Sequence, residues 1–201
     1  MTEVTATVST QRDVRDLLPR IEQLEAENSK LKIRLEEEAM ARKQFDDDLE
    51  QYTRRNTLEL HGVPLSRNEN TNHIAIDICK RIGLNVSFRD LDRSHRNGRG
   101  NRRKNLPPVI LVKFVSHDLK ESVYENRHLL RDIPGMRNIF INENLTATRR
   151  KLFARVRSSL PDFHCWTYDG KIRLRNRSIP DSRVHGITSE NEFFEFLNSK
   201  S

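Results

Sequence analysis

Along residues 14–52 apolar side chains return alternately every three and every four positions. With Ile21 at heptad position a, the a series is Val14, Ile21, Asn28, Leu35, Arg42 and Leu49, and the d series is Leu17, Leu24, Leu31, Glu38, Phe45 and Tyr52. Nine of these twelve positions are apolar, and a seam that repeats every 3.5 residues is buried only against another helix. The spacing therefore predicts a coiled coil over 14–53; the heavily charged flanks argue against a helix laid along its own body. Pro19 sets the expected start of the continuous helix near Arg20, and residues 1–13 are expected to be disordered.

After Tyr52 the period changes. "NTLELHGV" (56–63) alternates as a strand and runs into a Gly-Val-Pro turn; "NHIAIDICKRIGL" then puts Ile74, Ile78 and Ile82 on one helical face, with Gly83 as a stop. "FRDLDRSHR" reads as a polar strand, "PVILVKFV" (108–115) as a central apolar one, and "RNIFIN" (137–142) as a fourth. Between the last two, Leu119, Val123 and Leu130 align on a second helix. The order βαββαβ is the ferredoxin-like plan of RNA-recognition modules.

A third unit follows. Leu145, Leu152, Val156 and Leu160 form a helical stripe closed by Pro161. Arg149 lies along that stripe, and two readings stand: it snorkels from the first turn, or it enters a cleft and meets a phosphate. "CWTYDGKIRLR" is a hairpin about Asp169-Gly170, and its second strand sends Lys171, Arg173 and Arg175 to one face, about 6 to 7 Å apart per step. Trp166 has two readings, stacking on a base or filling the core, and the core is favoured. "VHGI" and "SENEFFEFLNS" close the chain as a strand and a helix whose Phe194 and Leu197 face inward. The expected fold is α+β: a coiled coil over 14–53, an RNA-recognition-like domain over 54–142, and a small α+β C-terminal domain over 143–201.

Charge divides along the same line. Residues 1–53 hold 8 Lys/Arg against 13 Asp/Glu, and residues 54–201 hold 28 against 16, so an acidic arm of −5 precedes a basic body of +12. Such a body suits nucleic acid or another polyanion. The first and third strands of the expected RNA-recognition-like unit carry only Phe114 as an aromatic, so it should grip phosphates rather than stack bases. The run "SHRNGRGNRRKN" adds Arg102, Arg103 and Lys104 as a basic strap beside the third strand, which itself carries Lys113.

Other chemistry finds little footing. Asp46 to Asp48 flank the seam with no histidine or glycine-rich loop beside them, His61, His95, His164 and His185 are scattered, and Cys79 and Cys165 have no metal-ligand or framework spacing. No enzymatic activity, cofactor or metal is expected. No apolar run approaches a membrane span, and "MTEVTATVSTQRD" lacks the regions of a signal peptide, so a reducing intracellular compartment is expected. Oligomer number rests on two signals. Asn28 at an a position favours a dimer, whereas Arg20 and Glu25 around Ile21 and Leu24 resemble the pattern of three-stranded coils. The trimer is favoured, with Leu31, Leu35, Phe45 and Leu49 completing its seam.

In order and spacing, the coiled coil, "RRNTLELHGVP", "DRSHR" before "ILVKF", "INENLTATRR" and "DGKIRLR" together resemble the first-open-reading-frame protein of LINE-type non-LTR retrotransposons. That group includes the related baculovirus few-polyhedra protein. The resemblance spans residues 14–198. It implies a homotrimeric single-stranded nucleic-acid-binding protein with chaperone activity, in cytoplasmic ribonucleoprotein particles and also in the nucleus, with a retrotransposon reverse transcriptase as a further partner. By that likeness the strand-entry arginines fall on Arg54 and Arg55, the second-strand basic residues on Arg93 and Arg96, and the C-terminal-domain pair on Arg149 and Arg150; Arg155 joins this expected set. The few-polyhedra likeness implies an alternative, a viral structural or trafficking protein that works through protein or membrane contacts. The arm is shorter than in mammalian elements, and no zinc knuckle or PHD finger is present.

Overall fold

The computed structural model describes residues 2–98, 100, 106–179 and 181–199, with side chains described from residue 17 onward. It is α+β, a long N-terminal helix followed by antiparallel sheets. Helix α1 spans Thr2–Arg54 and carries Pro19 inside it, so the helix does not begin near Arg20. A proline removes one backbone donor and crowds the preceding turn; a helix with many flanking turns can carry it as a local bend. The chain divides into two compact units, Met1–Asp46 and Asp47–Ser201, and the division falls within α1.

In the first unit the apolar seam lies bare. Leu24 is 45% exposed, Leu31 63% and Leu35 68%. The polar faces make their own contacts one turn apart, Gln23 with Glu27 and Arg34 with Glu38.

The second unit holds two sheets, each with its own core. Strands β1 (Thr57–His61), β2 (Leu91–Asn97), β3 (Val109–Phe114) and β4 (Phe140–Glu143) lie in the order β2-β3-β1-β4, all antiparallel. Alternation turns Leu58, Leu60, Ile110, Val112, Phe114 and Ile141 inward. Helix α2 (Thr71–Arg81) adds Ala75, Ile76, Ile78 and Cys79 to that core, and α3 (His117–Asn126) adds Val123 and Tyr124. Asn70 caps α2 by accepting from the Asn72 and His73 amides, and Ser116 caps α3. Burial pushes the Cys79 thiol up to about 12, which leaves it an inert core group.

The second sheet orders β5 (Phe163–Tyr168), β6 (Lys171–Asn176) and β7 (His185–Ile187) antiparallel, covered on one face by α4 (Ala147–Ser159) and α5 (Glu190–Asn198). Leu152, Val156, Phe163, Ile172, Leu174, Ile187, Phe193 and Phe196 form its core. In α5 the inward aromatics are Phe193 and Phe196, with Leu197 packed beside them; Phe194, expected inside, is 47% exposed. The helix starts at Glu190, directly after the Ser189 cap, and in that phase 193 and 196 lie on the sheet side and 194 turns outward.

Candidate nucleic-acid interface

The hairpin β5-β6 turns at Asp169 (φ 49°) and Gly170 (φ 69°), both left-handed, as a two-residue connection between right-twisted strands requires. So short a turn fixes the register. His164 pairs with Arg175, Trp166 with Arg173 and Tyr168 with Lys171, and all six side chains share the face opposite the core. Arg173 also faces Gly186 of β7, and its Nη1 lies 3.2 Å from where a Cβ on that glycine would sit. The missing side chain leaves room for the guanidinium to lie across the sheet. The outcome is a row of cations on β6 beside a row of rings on β5. Trp166, expected in the core, is on this open face and half-buried; its ring stacks on His164 at 5.2 Å and 26°.

The turn itself is held from several sides. Arg149 is 5% exposed: its Nε donates to Asp47 Oδ2 at 2.8 Å, its Nη1 to the Gly170 carbonyl at 2.9 Å, and it pairs with Asp48. Thr146 Oγ1 donates to the other oxygen of Asp47 at 2.6 Å, and Gln51 bridges the Thr146 amide and the Asn144 carbonyl. On the far side Glu143 accepts from the Gly170 amide and from Lys120 Nζ. Burial alone would depress the Lys120 ammonium, but the carboxylates of Glu143 and Glu121 raise it above its ordinary value. The Tyr124 hydroxyl donates to the Thr167 carbonyl at 3.0 Å. The last turns of α1, the start of α4, the end of β4 and helix α3 thus converge on one hairpin.

Those contacts revise the expected set of phosphate-binding residues. Arg149 does not project into solvent, because its donors are spent on Asp47, Asp48 and Gly170. Arg96 is likewise internal. Its guanidinium takes both oxygens of Glu69 and the carbonyls of Val63, Pro64 and Pro108, which ties the start of α2 to the ends of β2 and β3. The hydrogen bond from Arg96 holds the Glu69 carboxyl below the usual carboxylate range. Arg54 bonds Asn144 and Glu50, Lys113 pairs with Asp92, Arg150 with Glu59 and Arg155 with Glu190. All four keep solvent-exposed surface. Arg93 is exposed beside Lys113 on β2. Arg102, Arg103 and Lys104 lie outside the described residues.

The structure brings two groups together. Arg55, whose guanidinium lies 4.1 Å over the Tyr52 ring, shares a cleft of about 500 Å³ with His117, Lys171, Asp48 and Asp169. Lys171 then continues along β6 to Arg173 and Arg175. The sequence reading missed a third basic place, a pocket of about 290 Å³ at the β5 edge lined by Arg157, Arg177, His164 and Cys165. Nothing in the spacing of Arg157 and Arg177 announces it, since they come from α4 and from beyond β6. Burial raises the Cys165 thiol above its ordinary value, although both arginines favour the thiolate. Among the described residues no cluster of three His, Cys, Asp or Glu side chains could hold a metal ion, and no helix is long and apolar enough to cross a membrane. No protein-family model matches the chain, and no curated protein matches it.

Proposed function

We propose that this chain is an oligomeric, low-specificity binder of single-stranded nucleic acid that coats RNA and anneals strands, as in a LINE-type retrotransposon particle. The observation that carries the reading is the β6 row. Lys171, Arg173 and Arg175 stand on one sheet face and form no ion pair with a described residue, whereas Arg54, Arg96, Arg149, Arg150 and Arg155 of the expected set each pair with a carboxylate. Their spacing of about 6 to 7 Å per step suits successive backbone phosphates. The βαββαβ element order and the sheet order β2-β3-β1-β4 support an RNA-recognition-like module over 54–142. On the face opposite its core Glu59 and Leu111 are paired across β1 and β3, which suits a module that does not stack bases there.

The bare heptad seam of α1 supplies copy number. Each body grips weakly, and linking several bodies through one stalk multiplies the grip by effective concentration. Tight coating then coexists with fast local exchange, which lets strands melt and re-anneal. The test is binding of the full chain to matched single- and double-stranded RNA and DNA across about 50 to 200 mM salt. Preference for single strands with a steep loss of affinity is the expected result, and Arg173→Glu with Arg175→Glu should weaken binding more than Lys30→Glu with Lys32→Glu. An affinity indifferent to salt, or equal effects of the two charge reversals, would reject the reading.

A further inference from the structure

The cations of β6 explain a grip on phosphates, but they do not explain the rings beside them. The solvated face of an antiparallel sheet is usually polar, and β5 places His164, Trp166 and Tyr168 there in succession. Tyr168 is 43% exposed, and Trp166 and His164 already stack, with their planes inclined by 26°. Each ring is paired across the strands with a cation, Trp166 with Arg173 and His164 with Arg175. Beyond His164 the β5 edge opens into the pocket flanked by Arg157 and Arg177, both exposed.

We infer that the open face of β5-β6 is a base-stacking site for single-stranded nucleic acid, in which bases extend the Trp166-His164 stack while their phosphates follow Arg173 and Arg175 toward Arg157 and Arg177. This rests on the proposed function and adds to it a base-dependent contact. Stacking on an aromatic is sequence-tolerant because every base offers a π-face, so the site adds affinity without adding sequence preference. It also selects single strands, because paired bases are already stacked on each other. Arg157 and Arg177 come from different elements and meet only at this edge, where a phosphate one step past His164 would arrive.

Trp166 is the only tryptophan in the chain, so its fluorescence reports this site alone. The full chain is titrated with a short single-stranded oligonucleotide and with an abasic strand of equal length, following tryptophan emission and the anisotropy of the labelled strand together. Quenching that saturates with the anisotropy curve, and binding of the abasic strand weaker by about tenfold, are expected. Trp166→Ala should weaken binding of the ordinary strand by about tenfold and leave the abasic strand unaffected, while Trp166→Phe, which keeps a ring, retains most of the affinity. Arg157→Glu with Arg177→Glu should weaken both strands. Should anisotropy report binding with no change in emission, or should both strands bind equally, the stacking site is refuted and the proposed function stands. Absence of binding by anisotropy would instead remove the proposed function itself.

Discussion

Arg149 and Arg96 were both reasonable candidates for gripping phosphate, and both turn out to be internal fasteners. A guanidinium carries five donors in a fixed fork, so a site that offers it several acceptors at once can bury it. For Arg149 those acceptors are the side chains of Asp47 and Asp48 and the Gly170 carbonyl. Removing one member strands the other's charge in a poorly hydrated place. Asp47→Ala should therefore destabilise the fold by about 3 to 5 kcal/mol, read from urea unfolding. Asp48, 53% exposed, should cost far less when replaced by Ala. Unfolding midpoints in the reverse order would contradict this geometry. Glu69 makes a pH prediction. Arg96 holds its folded pKa below the unfolded value, so the pair's stabilisation is complete above the unfolded carboxylate pKa of about 4.3 and fades as pH falls through the folded one. Glu69→Gln should be less stable than the parent near neutrality, and the gap should narrow below about pH 4. A gap that stays constant from neutral to acid conditions would show that Glu69 titrates alike in both states.

At the level of elements, what the sequence carried was whatever depends on neighbours along the chain. The alternation of "NTLELHGV" and "VILVKF", the helical spacing of Ile78 and Ile82, and the Asp-Gly turn each encode a local conformation, and each is present as β1, β3, α2 and the β5-β6 turn. The ladder of rings against cations was legible too, because a two-residue turn fixes which residues pair and alternation then fixes their face. The general preference of tryptophan for burial points Trp166 to the core instead, and the structure puts it half-buried on the opposite face. The residues that went wrong answer to distant partners. Arg149 meets carboxylates about a hundred positions earlier in the chain, and the burial of Lys120, a residue the spacing does not single out, likewise depends on Glu143 of another element. Periodicity says which face a side chain takes; it does not say what the facing element brings. Phe194 fails for a smaller reason, a difference of one position in helical phase, which the Ser189 cap determines.

For the whole molecule, the open question of copy number can be settled through the exposed seam. The second unit has two cores of its own, whereas Leu24, Leu31, Leu35 and Phe45 in the first unit are 45 to 68% exposed. Burying a leucine is worth about 1.5 to 3 kcal/mol, so several such residues on each copy supply a strong drive to associate. In such an assembly Asn28 would cost some of that drive and specify register. Replacing Leu24 and Leu31 together by Asp should therefore yield monomers in analytical ultracentrifugation, with the near-ultraviolet circular dichroism of the second unit retained. If grip is multiplied through the stalk, the same variant should bind a long single strand about a hundredfold or more weaker, yet bind an oligonucleotide that spans one body as the parent does. The parent's mass also decides between the two seam signals: three copies follow from Arg20 and Glu25 pairing around Ile21 and Leu24, two from the Asn28 amides meeting across the axis. A double variant that dissociates but keeps its affinity for long strands would separate assembly from binding, and the seam would then have to serve a contact with a different protein.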